Sequence, residues 1–148
     1  MSTASNSQPE GPTMARTSPT ILIVDDDTSV RKVAKIRLEH EGYRVISAAD
    51  GDEGLQLAQT EHPQLILLDI LMPRMDGREV LRRLKSDPVT HAIPVILLTV
   101  LDAQDELRQS IGPGYADCIP KPYNPDHLLQ KVRTLLAGAT PERPAGGA

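Results

Sequence analysis

Short apolar runs recur along the middle of the chain and are separated by segments with a helical pattern of apolar residues. The clearest runs cover residues 21–24, 65–68 and 95–98, and a weaker run covers residues 115–119. Residues 44–48 form a further, more polar run. Continuous aliphatic residues in runs of this length are typical of parallel strands buried on both faces. The pattern therefore predicts five strands in a parallel sheet.

Five amphipathic helices are predicted between and after these strands. They cover residues 30–42, about 52–60, 78–85, 102–111 and 125–137. Strands that alternate with helices form parallel sheets covered on both faces, and right-handed crossovers leave few ways to connect them. The sequence therefore predicts an α/β fold, a flavodoxin-like, doubly wound five-stranded sheet with the strand order 2-1-3-4-5.

Capping residues mark several of the helix ends. Gly42 suits the left-handed conformation that often follows the last turn of a helix. Asn124-Pro125 combines an N-cap residue with a proline at the first helical position. Asp27 and Thr28 are both suitable N-caps for the first helix, and the sequence leaves the choice between them open.

The two ends of the chain differ in composition from the segment between them. Residues 1–18 are rich in Ser, Thr, Pro, Asn and Gln, and residues 138–148 are rich in Gly, Ala and Pro. Both are predicted to be disordered because neither has a period of apolar residues. One folded domain is therefore expected at residues 19–137, and Met14 is an alternative start of the chain.

Composition and charge argue against several classes of partner. Sixteen basic and twenty acidic side chains give a formal charge of −4, and no basic block suggests a nucleic-acid partner. No apolar run reaches membrane-spanning length, and the N-terminus lacks the features of a signal peptide. The single Cys118 fits a reducing compartment. We expect a cytoplasmic domain without a membrane partner, with an aliphatic core because Phe and Trp are absent.

Polar side chains stand where the predicted strands end. Asp25 and Asp26 follow the first strand, Asp69 the third and Thr99 the fourth, and Lys121 comes just after the last. Because the carboxyl ends of parallel strands meet at one edge of the sheet, we expect these side chains to lie together. Clustered carboxylates repel one another unless a cation or a lysine offsets the repulsion. The sequence therefore predicts a site for a hard cation such as Mg²⁺ and for a phosphoryl group.

The chain resembles the receiver domain of two-component response regulators, especially the single-domain regulators of the chemotaxis type. The resemblance rests on residues 21–27, 67–77 and 94–99 and on Lys121-Pro122, which occur in the order that the family has. It implies a phosphoacceptor signalling domain and no conventional enzyme. The phosphoryl donor would be a sensor histidine kinase or a histidine phosphotransfer protein. The phosphorylated domain would then bind a downstream protein, which the sequence does not identify.

The same resemblance implies a role for each carboxylate. Asp69 would accept the phosphoryl group from a phosphohistidine. Asp25 and Asp26 would bind Mg²⁺ together with Asp69 and the backbone carbonyl of Leu71. Transfer to a carboxylate that is already ionised needs no general base, and none is evident near Asp69 in the sequence.

The resemblance also implies how the phosphorylated state is held. Thr99 would donate a hydrogen bond to a phosphoryl oxygen, and Lys121 would pair with the phosphoaspartate. The Lys121-Pro122 peptide bond would be cis, as it is in the family, and X-Pro is the type of bond for which the cis form costs little.

Three positions depart from the pattern of the family, and one of them is Tyr115, which replaces the usual small residue after the glycine that precedes the last strand. The family usually has Tyr or Phe three residues before the lysine, where this chain has Cys118, and a small residue after the threonine, where this chain has Val100. No large ring can therefore move inward from the usual position. We expect the response to be carried by the loop after Thr99 and by the predicted helix at residues 102–111.

Three other interpretations use the same segments. The pattern Asp25-x-Asp27-x-Ser29 resembles the nucleophile motif of haloacid-dehalogenase-type phosphatases, in which Asp25 would be the nucleophile and Asp69 would have no role. A flavodoxin-like FMN carrier shares the fold class, but adjacent carboxylates repel a phosphate. The chain could also be a receiver cut from a longer regulator, with the Pro- and Gly-rich end as part of a linker.

Overall fold

The computed structural model describes residues 18–72, 75–100 and 114–138, and strands alternate with helices in it from the first strand to the fourth. The predicted helix at residues 102–111 lies outside these ranges, as do residues 1–17 and 139–148. The strands are β1 (Thr20–Val24), β2 (Arg44–Ala48), β3 (Leu65–Asp69), β4 (Val95–Val100) and β5 (Asp117–Lys121). The helices are α1 (Thr28–His40), α2 (Gly51–Glu61), α3 (Gly77–Ser86) and α4 (Pro125–Gly138).

The strands form one five-stranded sheet in the order β2-β1-β3-β4-β5, which confirms the predicted order. All neighbouring strands are parallel. The register pairs Val24 with Leu68, and Asp69 with Leu98. It also pairs Thr99 with Pro120. The carboxyl ends of β1, β3, β4 and β5 therefore reach the same edge of the sheet.

Apolar residues alternate between the two faces of the sheet and form two cores. Leu22, Leu68 and Leu97 pack on one face against α2 and α3. Ile23 and Leu67 pack on the other face against α1 and α4. The aliphatic runs are long enough to fill both cores without Phe or Trp, as the composition predicted. These cores hold the strand ends in place.

Some element ends differ from the prediction, and the differences have local causes. Helix α1 begins at Thr28, because the side chain of Asp27 accepts hydrogen bonds from the backbone N–H groups of Ser29 and Val30. Strand β5 covers residues 117–121 where 115–119 was predicted. Its shift brings Pro120 into the strand, which is tolerated because β5 is an edge strand and needs backbone donors on one side only.

The caps that close α1 and begin α4 agree with the sequence. Gly42 has a φ of 98°, and its N–H donates to Glu39 O at 2.9 Å while the N–H of Tyr43 donates to Leu38 O at 3.2 Å. This is the Schellman arrangement. At the start of α4, Asn124 Oδ1 accepts a hydrogen bond of 2.7 Å from the N–H of Asp126.

No helix among the described residues is long and apolar enough to cross a membrane.

Candidate phosphoacceptor and metal site

Four of the predicted site residues stand at the carboxyl ends of strands. Asp25 follows β1 directly, and Asp69 is the last residue of β3. Thr99 is the next-to-last residue of β4, and Lys121 is the last residue of β5. The sheet order places β3 between β1 and β4, so Asp69 lies in the middle of the group.

Asp25 is the most enclosed carboxylate of the group, with a side chain that is 0% exposed. Its Oδ1 accepts a hydrogen bond of 2.9 Å from the N–H of Asp27. Lys121 Nζ lies 2.9 Å from Oδ2 and forms an ion pair with it. Apart from this ion pair, Oδ2 accepts no hydrogen bond from the described residues. A buried charge needs such partners, and the ammonium of Lys121 and the N–H of Asp27 supply them.

Asp69 is buried, and its charge is opposed by its surroundings. Burial raises the pKa of its carboxyl to about 7, and the nearby charge of Asp25 adds to the increase. The charge of Lys121 and its contact with Asp69, at 3.4 Å from Nζ to Oδ1, act in the opposite direction. Without a bound cation, the pair Asp25 and Asp69 therefore resists holding two negative charges.

Lys121 joins the two buried carboxylates. Burial lowers the pKa of its ammonium group, but the ion pairs with Asp25 and Asp69 outweigh burial and raise it above its usual value. The ammonium therefore keeps its charge at neutral pH. The Lys121-Pro122 peptide bond is cis, as the resemblance implied.

Three carboxylates offer ligand atoms to one point in space. One oxygen each from Asp25, Asp26 and Asp69 lies within 4.8 Å of the others, and Asp26 is exposed. Carboxylate oxygens are the ligands that Mg²⁺ prefers, and Asp25 Oδ2 has unused capacity to accept. The residues therefore fit a hard divalent cation. Leu71, whose backbone carbonyl completes the predicted ligand set, follows two residues after Asp69 with its side chain 54% exposed.

Thr99 lies beside the carboxylates, on the strand next to Asp69. Its side chain is buried, and the register places it one residue beyond the level of Asp69. Cys118 is partly buried and packs against the core on the α2 and α3 face. The side chain of Val100 and residues 101–113 lie outside what the structure describes. The predicted contribution of Val100 and of residues 102–111 to a response therefore stays a prediction.

Gly77 packs against the backbone of the site, and the sequence did not predict this contact. A Cβ atom there would lie 2.3 Å from the backbone oxygen of Asp69 and 2.7 Å from Cα of Ile70. The Gly77 N–H also donates to Ile70 O at 2.8 Å. The start of α3 therefore rests directly on the end of β3. The signal in the sequence was the pair Asp76-Gly77, a helix cap followed by a residue without a side chain.

The phosphatase interpretation does not agree with the environment of its motif. Asp27, the second aspartate of that motif, caps α1 by accepting from the N–H groups of Ser29 and Val30. Asp25, the proposed nucleophile, is fully enclosed and paired with Lys121. Asp69, which that interpretation leaves without a role, lies in the centre of the acidic group.

Comparison with known proteins gives the class. The family model of the response regulator receiver domain matches residues 21–133. The chain therefore belongs to the family of response regulator receiver domains. It is a signalling domain of two-component systems, in which phosphorylation of an aspartate is the general function of the family.

Particular relatives share the domain in different settings. The DNA-binding dual master transcriptional regulator RpaA of Synechocystis sp. is 41% identical over 118 residues, which are 80% of this chain and 49% of that protein. The chemotaxis response regulator CheY4 of Vibrio cholerae has a TM-score of 0.73 at 30% identity, with 80% of this chain and 98% of that one covered. The signal receiver domain of a histidine kinase from Syntrophus aciditrophicus has a TM-score of 0.77 at 36% identity, with 84% and 94% covered.

The chain spans about half the length of the first curated relatives that it matches, from 47% to 54%. The chemotaxis protein and the kinase receiver, by contrast, are covered almost completely. These matches therefore concern the receiver domain alone and do not show the activity of any longer protein.

Proposed function

We propose that Asp69 accepts a phosphoryl group from a phosphohistidine, in a sensor histidine kinase or a histidine phosphotransfer protein. The observation that carries the proposal is the position of Asp69 beside Asp25 and Lys121 at the carboxyl edge of the sheet. An oxygen of Asp69 would form a bond to phosphorus while the P–N bond of the phosphohistidine breaks. The electron pair of that bond stays with the imidazole, which leaves as a neutral ring with the proton on its other nitrogen. The attacking carboxylate is ionised and has no proton to lose, so no general base is needed.

The three carboxylates Asp25, Asp26 and Asp69 would hold Mg²⁺, with the backbone carbonyl of Leu71 as a further ligand. When bound, the cation offsets the repulsion between the carboxylate and the phosphoryl oxygens. The burial that raises the pKa of Asp69 also keeps water away from its carboxylate. Asp25 is fixed by the N–H of Asp27 and by Lys121, so it presents Oδ2 in a defined place.

Lys121 and Thr99 would stabilise the charge on the transferred group. Lys121 Nζ already lies 3.4 Å from Asp69 Oδ1, and its ammonium would pair with the phosphoaspartate. A hydrogen bond to a charged phosphoryl oxygen is stronger than one between neutral groups, which gives the Thr99 hydroxyl a reason to turn toward it. Both side chains come from strands at the far side of β3 from Asp25.

The phosphoryl donor would bind on the face formed by α1 and the start of α4. A groove of about 490 Å³ there is lined by Val30, Val33, Lys121 and Tyr123, and it adjoins the acidic group through Lys121. Val33 and Ile36 on α1 are 49% and 69% exposed. Because the phosphohistidine must reach Asp69 itself, its protein has to cover a surface next to the site, and this apolar one is suitable.

The downstream partner would be a protein, and the receiver would act alone or within a longer regulator. The formal charge of −4 supports our proposal that this chain does not itself bind nucleic acid, although the relative RpaA is named as a DNA-binding regulator. Phosphorylation would be self-catalysed from the donor, without turnover of an unrelated substrate.

Intact-mass analysis tests the proposal. The full chain is incubated with acetyl phosphate, with and without Mg²⁺, beside Asp69→Asn and Asp69→Ala. We expect one added phosphoryl group, dependent on the divalent cation, lost with hydroxylamine and absent from both variants. Asp117→Asn is the matched control, because Asp117 lies at the opposite end of β5 and pairs with Lys131, and it should be labelled like the native chain. Label that persists in Asp69→Asn, or that maps to Asp25, would refute the assignment.

A further inference from the structure

Each polar group of Asp25 has a partner, and the partners come from different parts of the fold. The backbone N–H donates to Ala48 O, at the end of β2, at 3.1 Å. Asp25 Oδ1 accepts from the N–H of Asp27 at 2.9 Å, and Oδ2 lies 2.9 Å from Lys121 Nζ. The remaining group, the backbone carbonyl, accepts a hydrogen bond of 2.7 Å from Arg31 Nη1. Arg31 belongs to α1 and has no role in the proposed phosphoryl transfer.

The carbonyl that Arg31 contacts belongs to the peptide group between two of the proposed metal ligands. This peptide group joins Asp25 to Asp26, and both carboxylates offer an oxygen to the same point in space. Because a peptide group is planar, the direction of the Asp25 carbonyl also sets the direction in which the chain continues to Asp26. The hydrogen bond from Arg31 therefore restricts how the two carboxylates are placed relative to each other.

The guanidinium group of Arg31 is held at a second point. Its Nη2 donates to Thr28 Oγ1 at 3.3 Å while Nη1 donates to the carbonyl. The charge of the guanidinium strengthens such hydrogen bonds. Helix α1 does not depend on this contact, because Asp27 caps its first turn and Ala34 and Leu38 are buried in the core. The contact therefore acts mainly on the turn that follows β1.

We propose that Arg31 positions Asp25 and Asp26 for the divalent cation by orienting the peptide group between them. The inference rests on the proposed function of the acidic group as a metal site. Arg31 is a positioning residue, since its own contacts are with a backbone carbonyl and a hydroxyl and it acts on the cation through the two aspartates. Its charge alone would have the opposite effect, because a nearby positive charge repels Mg²⁺. Removal of the side chain therefore distinguishes positioning from charge.

Calorimetric titration of the full chain with Mg²⁺ gives the first measurement. Arg31→Met removes the charge and both donors but keeps an unbranched side chain. We expect it to bind Mg²⁺ about tenfold more weakly, as commonly follows the loss of a hydrogen bond that orients a ligand. Lys32→Met is the matched control, because Lys32 is exposed on the same helix and its replacement removes the same charge. The control should bind Mg²⁺ at least as tightly as the native chain.

Arg31→Lys separates the charge from the two donors. It keeps the charge, but a single nitrogen replaces the two nitrogens that contact different acceptors. We expect this variant to bind Mg²⁺ less tightly than the native chain and more tightly than Arg31→Met. If Arg31→Met does not fold, Arg31→Lys is the variant to compare with the native chain. An affinity for Mg²⁺ at or above the native value in either variant would overturn the inference.

The peptide group itself gives the second measurement. In metal-free protein, Arg31→Met should shift the carbonyl carbon resonance of Asp25 and the amide resonance of Asp26, and Lys32→Met should leave both in place. Unchanged resonances in Arg31→Met would also overturn the inference. A native chain that binds no Mg²⁺ would refute the metal site and this inference together. Failure of labelling by acetyl phosphate, with Mg²⁺ binding still weakened in Arg31→Met, would refute only the proposed phosphoryl transfer.

Discussion

At the scale of the residue, Asp69 shows how burial and charge set the state of one side chain. The residue is 3% exposed, and its carboxyl lies beside Asp25 and 3.4 Å from Lys121 Nζ. Burial and the neighbouring carboxylate together outweigh the lysine, so the pKa is raised to about 7. A carboxylate suited to attack phosphorus is therefore costly to ionise until a cation binds. A bound cation removes this cost of ionisation, and the relief adds to the free energy of metal binding.

A pH-dependent stability difference follows from this pKa. Because the pKa of Asp69 is raised in the folded state, the native chain loses stability as pH rises from the unfolded pKa through about 7. In metal-free protein, Asp69→Asn should therefore equal the native chain near pH 4 and exceed it by on the order of 2 kcal/mol near pH 8. Urea unfolding at several pH values measures this, with Asp117→Asn as control. A gain that is independent of pH would contradict the electrostatic cause.

Gly77 provides a second prediction at this scale. A methyl group there would meet the backbone oxygen of Asp69 at 2.3 Å, and backbone cannot move aside as a flexible side chain can. Gly77→Ala should destabilise the fold by about 2 kcal/mol, despite the better helix propensity of alanine. Gly114→Ala is the control, since the nearest atom to its Cβ would be Leu81 Cδ2 at 3.5 Å. Equal unfolding midpoints in the two variants would show that α3 can retreat from β3 without cost.

At the scale of the element, the junction of β1 and α1 divides consecutive aspartates between different tasks. Asp25 turns into the site, where Lys121 pairs with it. Asp26 is exposed but offers an oxygen to the same point. Asp27 turns to the helix and accepts from the N–H groups of Ser29 and Val30. One short turn therefore ends a strand, supplies ligands and begins a helix.

This division predicts opposite behaviour for neighbouring substitutions. Mg²⁺ at millimolar concentration should raise the melting temperature of the native chain, because it binds the folded state. Asp26→Asn should remove most of that increase while leaving the metal-free protein folded. Asp27→Ala should cost about 1 kcal/mol through loss of the α1 cap and keep the increase from Mg²⁺. Differential scanning calorimetry with and without Mg²⁺ distinguishes the two variants. An equal melting temperature of the native chain with and without Mg²⁺ would count against the metal site.

At this scale, much of the fold and part of the site could be predicted from the sequence. The aliphatic runs predicted the strands, and the right-handed crossovers between alternating strands and helices predicted their order. The convergence of strand ends predicted that Asp25, Asp69 and Lys121 meet. The end of β5 was misplaced by two residues because the register with β4 decides it, and that pairing is not local. The contact of Gly77 with Asp69 depends on the path of the chain between β3 and α3.

At the scale of the whole molecule, the site is connected to the rest of the sheet through β4 and β5. Lys121 ends β5 and is shared between Asp25 at 2.9 Å and Asp69 at 3.4 Å. A phosphoryl group on Asp69 would draw the ammonium toward itself and away from Asp25. Thr99 pairs in register with Pro120, the residue before that lysine, so a turn of its hydroxyl acts on the same strand end. The response is therefore expected to spread along β5.

Beryllofluoride with Mg²⁺, which stands in for the phosphoryl group, tests this path. Amide resonances of Thr99 and of β5 around Cys118 should shift, since both strands adjust to the new charge, whereas no large side chain at Cys118 can swing inward. Thr99→Val should suppress the shifts in β5 and leave Asp69 able to accept phosphate, because it removes the hydroxyl that would donate to the charged oxygen and keeps a side chain of similar size. Thr90→Val is the control, since the Thr90 hydroxyl is buried but donates to Leu84 O, away from the site. Shifts confined to the residues just after β1 and β3 would mean that the site takes up the phosphoryl group without passing the change to the β5 edge.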